Sequence, residues 1–343
     1  MENINSHTPI SIIITVHDEA DELYRNLPLW LSQEYDGDFE VIVVIEQGKN
    51  ETEDVIKRFA DNEHLYSTYI PQSSRYMSRK KLSITLGVKA AKNEWLVITE
   101  PTVRPMSNQW LKSFAEYCND DNALVMGHTL YATDASSYKQ YEHLRTATYA
   151  QRRAKRGKPF RTNIPLIALR KSNFMAQHGF RDNQKYLRGE YDFLVNQYGR
   201  NGKTAVADAP ETWCEESAPT KKQWSNKHIF YQETRKHLPG KFTYSFLFNA
   251  KQFFIHMLML LSIAAIAVGA VAKEWILMGA GCLALILYCI VSSIVISKKL
   301  AKYDVDIKAW MIPFYEISTV WRNLWWKIRH MKADKYDFIS HKI

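Results

Sequence analysis

Residues 94–102 read EWLVITEPT, an apolar run that ends on a carboxylate and then turns through a proline. The apolar part has the length and the β-branched content of a buried strand, and Pro101 suits the turn that follows it. Glu100 and Thr102 are therefore predicted to lie at the end of a strand, at one edge of a sheet. What binds at that edge depends on the strands and helices predicted around it.

Strand and helix patterns alternate along the chain before this run. The predicted strands cover residues 11–16, 39–45 and 66–70, and the predicted helices that follow them cover residues 23–31, 53–59 and 78–91. Such alternation predicts an α/β fold with a mostly parallel sheet and helices on both faces. Ligands of these sheets bind at the carboxyl ends of the strands. Those ends carry residues 17–19, Glu46 and Glu100, which are all polar or acidic.

Two apolar segments near the C-terminus predict a transmembrane helical hairpin. Residues 253–272 hold no charged group apart from His256, and residues 275–296 hold none. Each segment has the ~20 residues that a membrane-spanning helix needs. Lysines flank the pair on both outer sides, which places both ends in the cytoplasm. The alternative is a pair of buried core helices. His256 is a functional candidate, or it snorkels or bonds to the neighbouring helix.

The tail mixes tryptophan with arginine and lysine over residues 310–332. This pattern predicts an amphipathic helix in the cytoplasmic interface or, equally, a helix packed on the soluble domain. The predicted domains are a cytoplasmic catalytic-type domain over residues 9–240, the hairpin over residues 253–296 and a basic, aromatic tail over residues 297–343.

The chain of 343 residues carries a formal charge of +9. A basic balance suggests nucleic acid, anionic lipid or a phosphorylated substrate as a partner. The apolar segments make lipid the simplest explanation, and the absence of a zinc spacing or an RNA-binding aromatic motif argues against nucleic acid. The basic stretch over residues 145–188 is predicted to be loop and strand, covering a phosphate-rich or membrane-facing surface.

The four cysteines show no metal spacing and no disulfide framework, and residues 1–9 lack a signal-peptide core, so the soluble part is expected in the cytosol.

Several segments together resemble a family 2 glycosyltransferase with the GT-A fold. The matching segments are residues 11–19, 39–46, 79–91, 94–102, 168–172 and 189–196, and the C-terminal hairpin resembles that of bacterial membrane-associated members. The resemblance covers about residues 9–300. It implies inverting transfer of a sugar from a nucleotide donor, most commonly a UDP-sugar, to a lipid-linked or glycan acceptor. The implied setting is cell-envelope polysaccharide or glycolipid synthesis at the bacterial inner membrane, with the catalytic domain facing the cytoplasm.

The resemblance also implies roles for individual residues. The acceptor-side general base falls on Glu190, with Asp192 as second choice, although either could instead cap the following helix. Clustered basic residues over 152–161 would add positive charge. The residues implied in nucleotide-sugar binding are His17, Asp18, Glu19, Glu46, Arg79, Lys80 and Glu100.

The metal-binding pair of the family falls on Glu100 and Thr102. Glu100 can ligate Mg²⁺ or Mn²⁺, whereas Thr102 offers only a hydroxyl, so a divalent metal is expected to bind weakly or not at all. A strand end without any metal is the alternative. The Gln-x-x-Arg-Trp motif of processive relatives is not reproduced near Gln223, which disfavours synthesis of a long polymer by this chain alone. These departures leave a second hypothesis open, a catalytically impaired scaffold subunit of an envelope-polysaccharide assembly.

Overall fold

The computed structural model describes residues 7–71, 78–334 and 338. Two sheets are formed within these residues. The strands, in chain order, are β1 Ile10–Thr15, β2 Phe39–Glu46, β3 Leu65–Ile70, β4 Trp95–Thr99, β5 Val103–Pro105, β6 Asn122–Met126, β7 His128–Tyr131, β8 Leu166–Arg170, β9 Lys203–Val206 and β10 Trp213–Glu216.

The larger sheet has seven strands in the order β3-β2-β1-β4-β8-β6-β9. Every pairing in it is parallel except the two made by β8, which runs antiparallel to β4 and to β6. The smaller sheet has the order β5-β10-β7, with β10 antiparallel to β5 and parallel to β7. The predicted mostly parallel α/β sheet is thus confirmed.

Helices connect these strands and continue beyond them. Their bounds are α1 Ala20–Leu31, α2 Asn50–Arg58, α3 Arg79–Ala90, α4 Trp110–Ala115, α5 Ser137–Lys155, α6 Lys171–Ala176, α7 Glu190–Tyr198, α8 Lys221–Thr234, α9 Lys241–Ala272, α10 Trp275–Leu300 and α11 Ile312–Lys332. Residues 145–155 are therefore helical, so the prediction of loop and strand there was wrong. The basic residues of that segment had hidden a helix whose buried side chains there are Ala147, Ala150 and Ala154 with Gln151 and Arg153.

Helices pack on both faces of the larger sheet, as predicted. Ile12 and Ile14 of β1 lie in one core with Leu27 of α1, whereas Ile13 lies in the opposite core with Ile84 of α3. This division follows from the two-residue period of a strand, which sends successive side chains to opposite faces. Because both faces are covered, the strand is buried along its whole length and apolar except at Ser11 and Thr15.

The end of β4 is fixed by hydrogen bonds to its backbone. Asn26 donates from Nδ2 to the carbonyl oxygen of Pro101 at 2.7 Å, and Trp30 donates from Nε1 to that of Val103 at 3.0 Å. The N–H of Val103 donates to the carbonyl oxygen of Glu100 at 3.0 Å and closes the turn. All of these groups are covered by α1, so the carboxylate of Glu100 is presented from a rigid support.

The chain divides into two compact units. One contains residues 1–135, 145–239 and 333–343, with both sheets, and the other contains residues 136–144 and 240–332. The predicted domain boundaries at residues 9–240, 253–296 and 297–343 stay predictions.

The second unit contains α9 and α10, which pack against each other across a tight turn. Lys273 takes the left-handed conformation (φ 60°), and the N–H of Glu274 donates to the carbonyl oxygen of Gly269 at 2.8 Å. Gly281 allows close approach, since a Cβ there would lie 2.7 Å from the carbonyl oxygen of Ser262. Both helices are long and apolar enough to cross a membrane, with a mean hydropathy of 2.4. Most of their surface is exposed, which is unlike the core helices of a soluble protein.

Candidate active site

The carboxylate of Glu46 joins three of the residues predicted to bind the nucleotide. Glu46 ends β2 with a buried side chain, and Nδ1 of His17, just beyond β1, lies 2.5 Å from its Oε1. Arg79, at the start of α3, donates to the other oxygen of the same carboxylate. The carboxyl ends of β1 and β2 and the first turn of α3 therefore meet at one point.

The loop after β1 is closed by Glu19. Its carboxylate accepts hydrogen bonds from the backbone N–H groups of His17, at 2.9 Å, and of Asp18, at 3.1 Å. Asp18 in turn accepts from Nζ of Lys49 at 2.8 Å. That hydrogen bond lowers the pKa of Asp18, although partial burial opposes it. Both side chains are exposed, so this pair orders the loop but contributes little stability.

Lys80 and Glu100 form an ion pair at the end of β4. Lys80 donates from Nζ to Oε1 of Glu100, and both side chains are largely buried. Burial opposes the charge of Lys80, but the carboxylates of Glu100 and Glu190 outweigh it and raise the pKa of the amine. A fixed ammonium group thus occupies the position where the sequence predicted a metal ligand.

Glu190 and Asp192 lie in the first turn of α7 and are both buried. Asp192 accepts from the N–H of Thr162 at 3.1 Å, and Nε of Arg161 lies 3.6 Å from it. Burial raises the pKa of Asp192 to about 6, although Arg161 and the Thr162 N–H act in the opposite direction. Oε1 of Glu190 has no hydrogen-bond partner among the described residues. Glu190 thus keeps a buried acceptor atom unpaired among the described residues, whereas Oδ1 of Asp192 already accepts from the Thr162 N–H.

Glu216, the last residue of β10, is a buried carboxylate of this site that the sequence analysis missed. The next residue donates its N–H to the carbonyl oxygen of Thr102 at 2.8 Å, which ties β10 to the turn after β4. Thr129 donates to Glu216 at 3.0 Å, and Nζ of Lys227 lies 3.9 Å away. Burial raises the pKa of Glu216, with Lys227 lowering it and Glu100 raising it further.

The signal that could have revealed Glu216 is weak. Only two apolar residues, Trp213 and Cys214, precede the acidic pair in β10, which is too short for a clear strand period. Lys49, which pairs with Asp18, is a second residue of the site that the sequence did not reveal. Trp224 lies on α8, and its indole is buried beside Tyr131 and His228.

The residues at the predicted metal position do not fit a divalent cation. Mg²⁺ and Mn²⁺ prefer six oxygen ligands with carboxylates among them. Among residues 7–71 and 78–334, no group of three or more His, Cys, Asp or Glu side chains could hold a metal ion. The carboxylate of Glu100 is already neutralised by Lys80, and Thr102 adds no charge. The positive charge in this part of the site comes from side chains.

Solved structures show which class of protein has this fold. The mannosyltransferase PcManGT from Pyrobaculum calidifontis, in complex with GDP-Man and Mn²⁺, is similar with a TM-score of 0.50 and 17% identity, over 92% of this chain and 87% of that one. Staphylococcus aureus TarS 1–349 gives a TM-score of 0.46 at 10% identity, over 65% of this chain and 64% of that one. Its complex with UDP-GlcNAc gives 0.47 at 15% identity, over 64% and 61%.

The fold is that of a glycosyltransferase of the GT-A type, and a family model supports this class over part of the chain. The match to the mannosyltransferase shows the fold alone, and the TarS scores support no inference. Residues 11–177 match the Glycosyl transferase family 2 model, which covers just under half of the chain. No curated protein matches the chain.

Proposed function

We propose that the chain moves a sugar from a nucleotide-sugar donor to a membrane-bound acceptor. The observation that carries this proposal is the meeting of the β1, β2 and β4 ends with the basic start of α3. His17 and Arg79 both contact the carboxylate of Glu46 there, and the next residue of α3 pairs with Glu100. His17 and Glu46 offer directional hydrogen bonds to a nucleoside, and the adjacent Arg79 and Lys80 offer positive charge to a diphosphate.

Transfer requires that the departing diphosphate be stabilised as negative charge develops on it. Arg79 and Lys80 are cations at the start of α3, and the raised pKa of Lys80 keeps that group charged at neutral pH. We assign diphosphate stabilisation to these two side chains. Glu46 and Asp18 are assigned to hydrogen bonds with the base or ribose, and His17 and Glu19 to the order of the loop that contacts it.

The acceptor hydroxyl must lose its proton as it attacks the sugar. Glu190 is buried in the first turn of α7 and keeps Oε1 free to accept that proton. Asp192 is already committed to Arg161 and to the Thr162 N–H. Glu190 is therefore the proposed general base, and Asp192 holds Arg161 in place.

The acceptor is proposed to be a lipid-linked glycan or glycolipid. The support is the α9–α10 pair, which follows the first unit along the chain and has the length and apolar surface of a membrane hairpin. Lysines flank both outer ends, which under the positive-inside rule supports a cytoplasmic first unit, and the bacterial inner membrane is the proposed location. UDP is the proposed donor nucleotide, and envelope polysaccharide or glycolipid synthesis is the proposed setting.

Transfer assays on the detergent-purified chain test this proposal. UDP- and GDP-sugars are supplied with a bacterial lipid extract, and nucleotide release is measured. Glu190→Gln should lower the rate by about 10²- to 10⁴-fold, the usual contribution of a general base. Glu211→Gln, an exposed carboxylate of the same unit, is the matched control. Equal rates for both variants would contradict the assignment of the base.

A scaffold role is the second candidate, and one observation favours it. The Lys80–Glu100 pair closes the position at which related sites hold a metal, and no metal-binding group replaces it among the described residues. A scaffold would bind neither UDP nor GDP in calorimetric titration. Binding of either nucleotide would exclude this candidate as an explanation of the site.

A further inference from the structure

Two polar side chains in the second unit, Gln252 and His256, have buried atoms without hydrogen-bond partners among the described residues. Gln252, on α9, is only 3% exposed, and neither Oε1 nor Nε2 of its amide has a partner among the described residues. One turn further along α9, Nε2 of His256 is buried and equally unpaired there. A buried amide without hydrogen bonds is costly, so a pair of such groups on one helix face points to a ligand.

The position of this pair along α9 corresponds to the head-group level of a bilayer. Counting from Gln252 to the turn at Lys273 gives a helical rise of about 31 Å at 1.5 Å per residue. This length matches the hydrocarbon thickness of ~30 Å, so Gln252 lies at the membrane surface opposite to the turn. Trp321 of α11, whose ring centroid is 6.3 Å from that of His256, is exposed at the same level, where tryptophan is enriched.

Hydrogen bonding fixes what His256 can offer. Nδ1 lies 2.8 Å from the carbonyl oxygen of Gln252, and because a carbonyl can only accept, Nδ1 must carry the proton. In the neutral imidazole, Nε2 is then an acceptor that needs a donor from outside. The amide of Gln252 adds one further acceptor, Oε1, and the two N–H donors of Nε2. Two hydroxyl groups, each of which both donates and accepts, satisfy this set.

The charges around the pair favour a neutral group over an anion. Lys251, next to Gln252, has its Nζ 2.5 Å from Oε1 of the buried Glu316 of α11, so its charge is compensated. Arg322 of α11 lies over the ring of Tyr138, 3.8 Å from the ring centroid. A phosphate oxygen could accept from the amide but could not donate to Nε2.

We propose that Gln252 and His256 bind a hydroxyl-bearing head group of a membrane amphiphile, a glycerol or sugar head. The site rests on the proposed membrane hairpin but not on the transfer reaction. It would hold a lipid of the same chemical class as the proposed acceptor.

Native mass spectrometry of the full chain, released from nanodiscs, measures which lipids stay bound. The discs contain phosphatidylcholine with a minor amount of glucosyl diacylglycerol, phosphatidylglycerol or phosphatidic acid. Glucosyl diacylglycerol is expected to be retained over phosphatidylcholine. Gln252→Leu, which keeps the volume but removes the amide, should reduce that retention by about tenfold, as expected for two lost hydrogen bonds. His256→Phe, which keeps an aromatic ring but removes both ring nitrogens, should also reduce lipid retention. It tests the site independently if Gln252→Leu does not fold.

The control is Ser262→Ala, a buried position of the same helix whose hydroxyl already donates to the carbonyl oxygen of Leu258 at 2.8 Å. It should retain lipid as the unmodified chain does. Retention of phosphatidylglycerol as well would identify the glycerol hydroxyls as sufficient, and retention of the glucosyl lipid alone would identify the sugar. Equal retention of phosphatidic acid, or no difference between Gln252→Leu and the control, would overturn the proposal. If the chain does not enter nanodiscs, both this proposal and the membrane hairpin are overturned. If the chain binds no nucleotide, only the transfer proposal is affected.

Discussion

Replacing Asp192 by asparagine should stabilise the protein at neutral pH. The carboxylate is buried in the first turn of α7, and burial raises its pKa from 3.8 to about 6 even with Arg161 beside it. That difference corresponds to about 3 kcal/mol. The folded state therefore holds the proton more tightly than the unfolded state, and the ionised carboxylate destabilises it by that amount above pH 6.

The sign of the pH dependence follows from the raised pKa. As the pH falls from 6 towards 3.8, the folded state takes up the proton first, so the penalty shrinks and disappears below the unfolded value. The amide introduced by Asp192→Asn would carry no charge at any pH and would keep an oxygen that accepts from the Thr162 N–H. The advantage of this variant over the unmodified chain should be largest above pH 6 and absent below about pH 4.

Thermal unfolding of the full chain in detergent measures this advantage. An increase of about 3 kcal/mol should raise the Tm by about 6–12 °C at pH 7.5 for a unit of this size. Asp121→Asn is the control, because that carboxylate is exposed and should leave the Tm unchanged. A lower Tm for Asp192→Asn at pH 7.5 would refute the reasoning, since attraction to Arg161 would then outweigh burial.

Three further outcomes are expected. Lys80→Met should weaken UDP or GDP binding in calorimetry by about tenfold or more, as for loss of one charge-assisted contact, while EDTA changes the affinity of the unmodified chain less than about twofold. Gly189→Ala should lower the Tm, since φ is 93° and a Cβ would overlap Thr234; a Gly157→Ala variant, which meets no side chain, separates strain from crowding. Cys118 should resist maleimide labelling in the folded chain, because burial raises the pKa of its thiol.

Local patterns in the sequence were enough to predict most of the fold. The strand that ends at Glu46 and the basic turn at Arg79 each carry their own signal, and the parallel sheet brings their ends together. No local pattern in the sequence shows which distant segments contact each other. Glu216 reaches the site only because β10 pairs with β5, and nothing in its own neighbourhood shows that pairing. The antiparallel direction of β8 likewise follows only from its pairing with β4 and β6, which the sequence does not show.

The ion pair of Lys80 shows a second limit. The sequence placed Lys80 and Glu100 in the same site but under separate roles, one near the nucleotide and one on a metal. Spacing cannot show that an amine twenty residues upstream, at the start of α3, reaches the end of β4. Only the packing of α3 on the sheet makes the two charges neutralise each other.

The antiparallel strand β8 has a consequence for synthesis of the chain on the ribosome. β4 is complete at Thr99, but the partner for its outer edge begins only at Leu166. At 5–20 residues per second, translation leaves that edge unpaired for roughly 3–13 s. An open apolar edge is a template for pairing with other chains. The nascent protein is therefore expected to depend on chaperones during this interval, before either apolar helix of the second unit has been made.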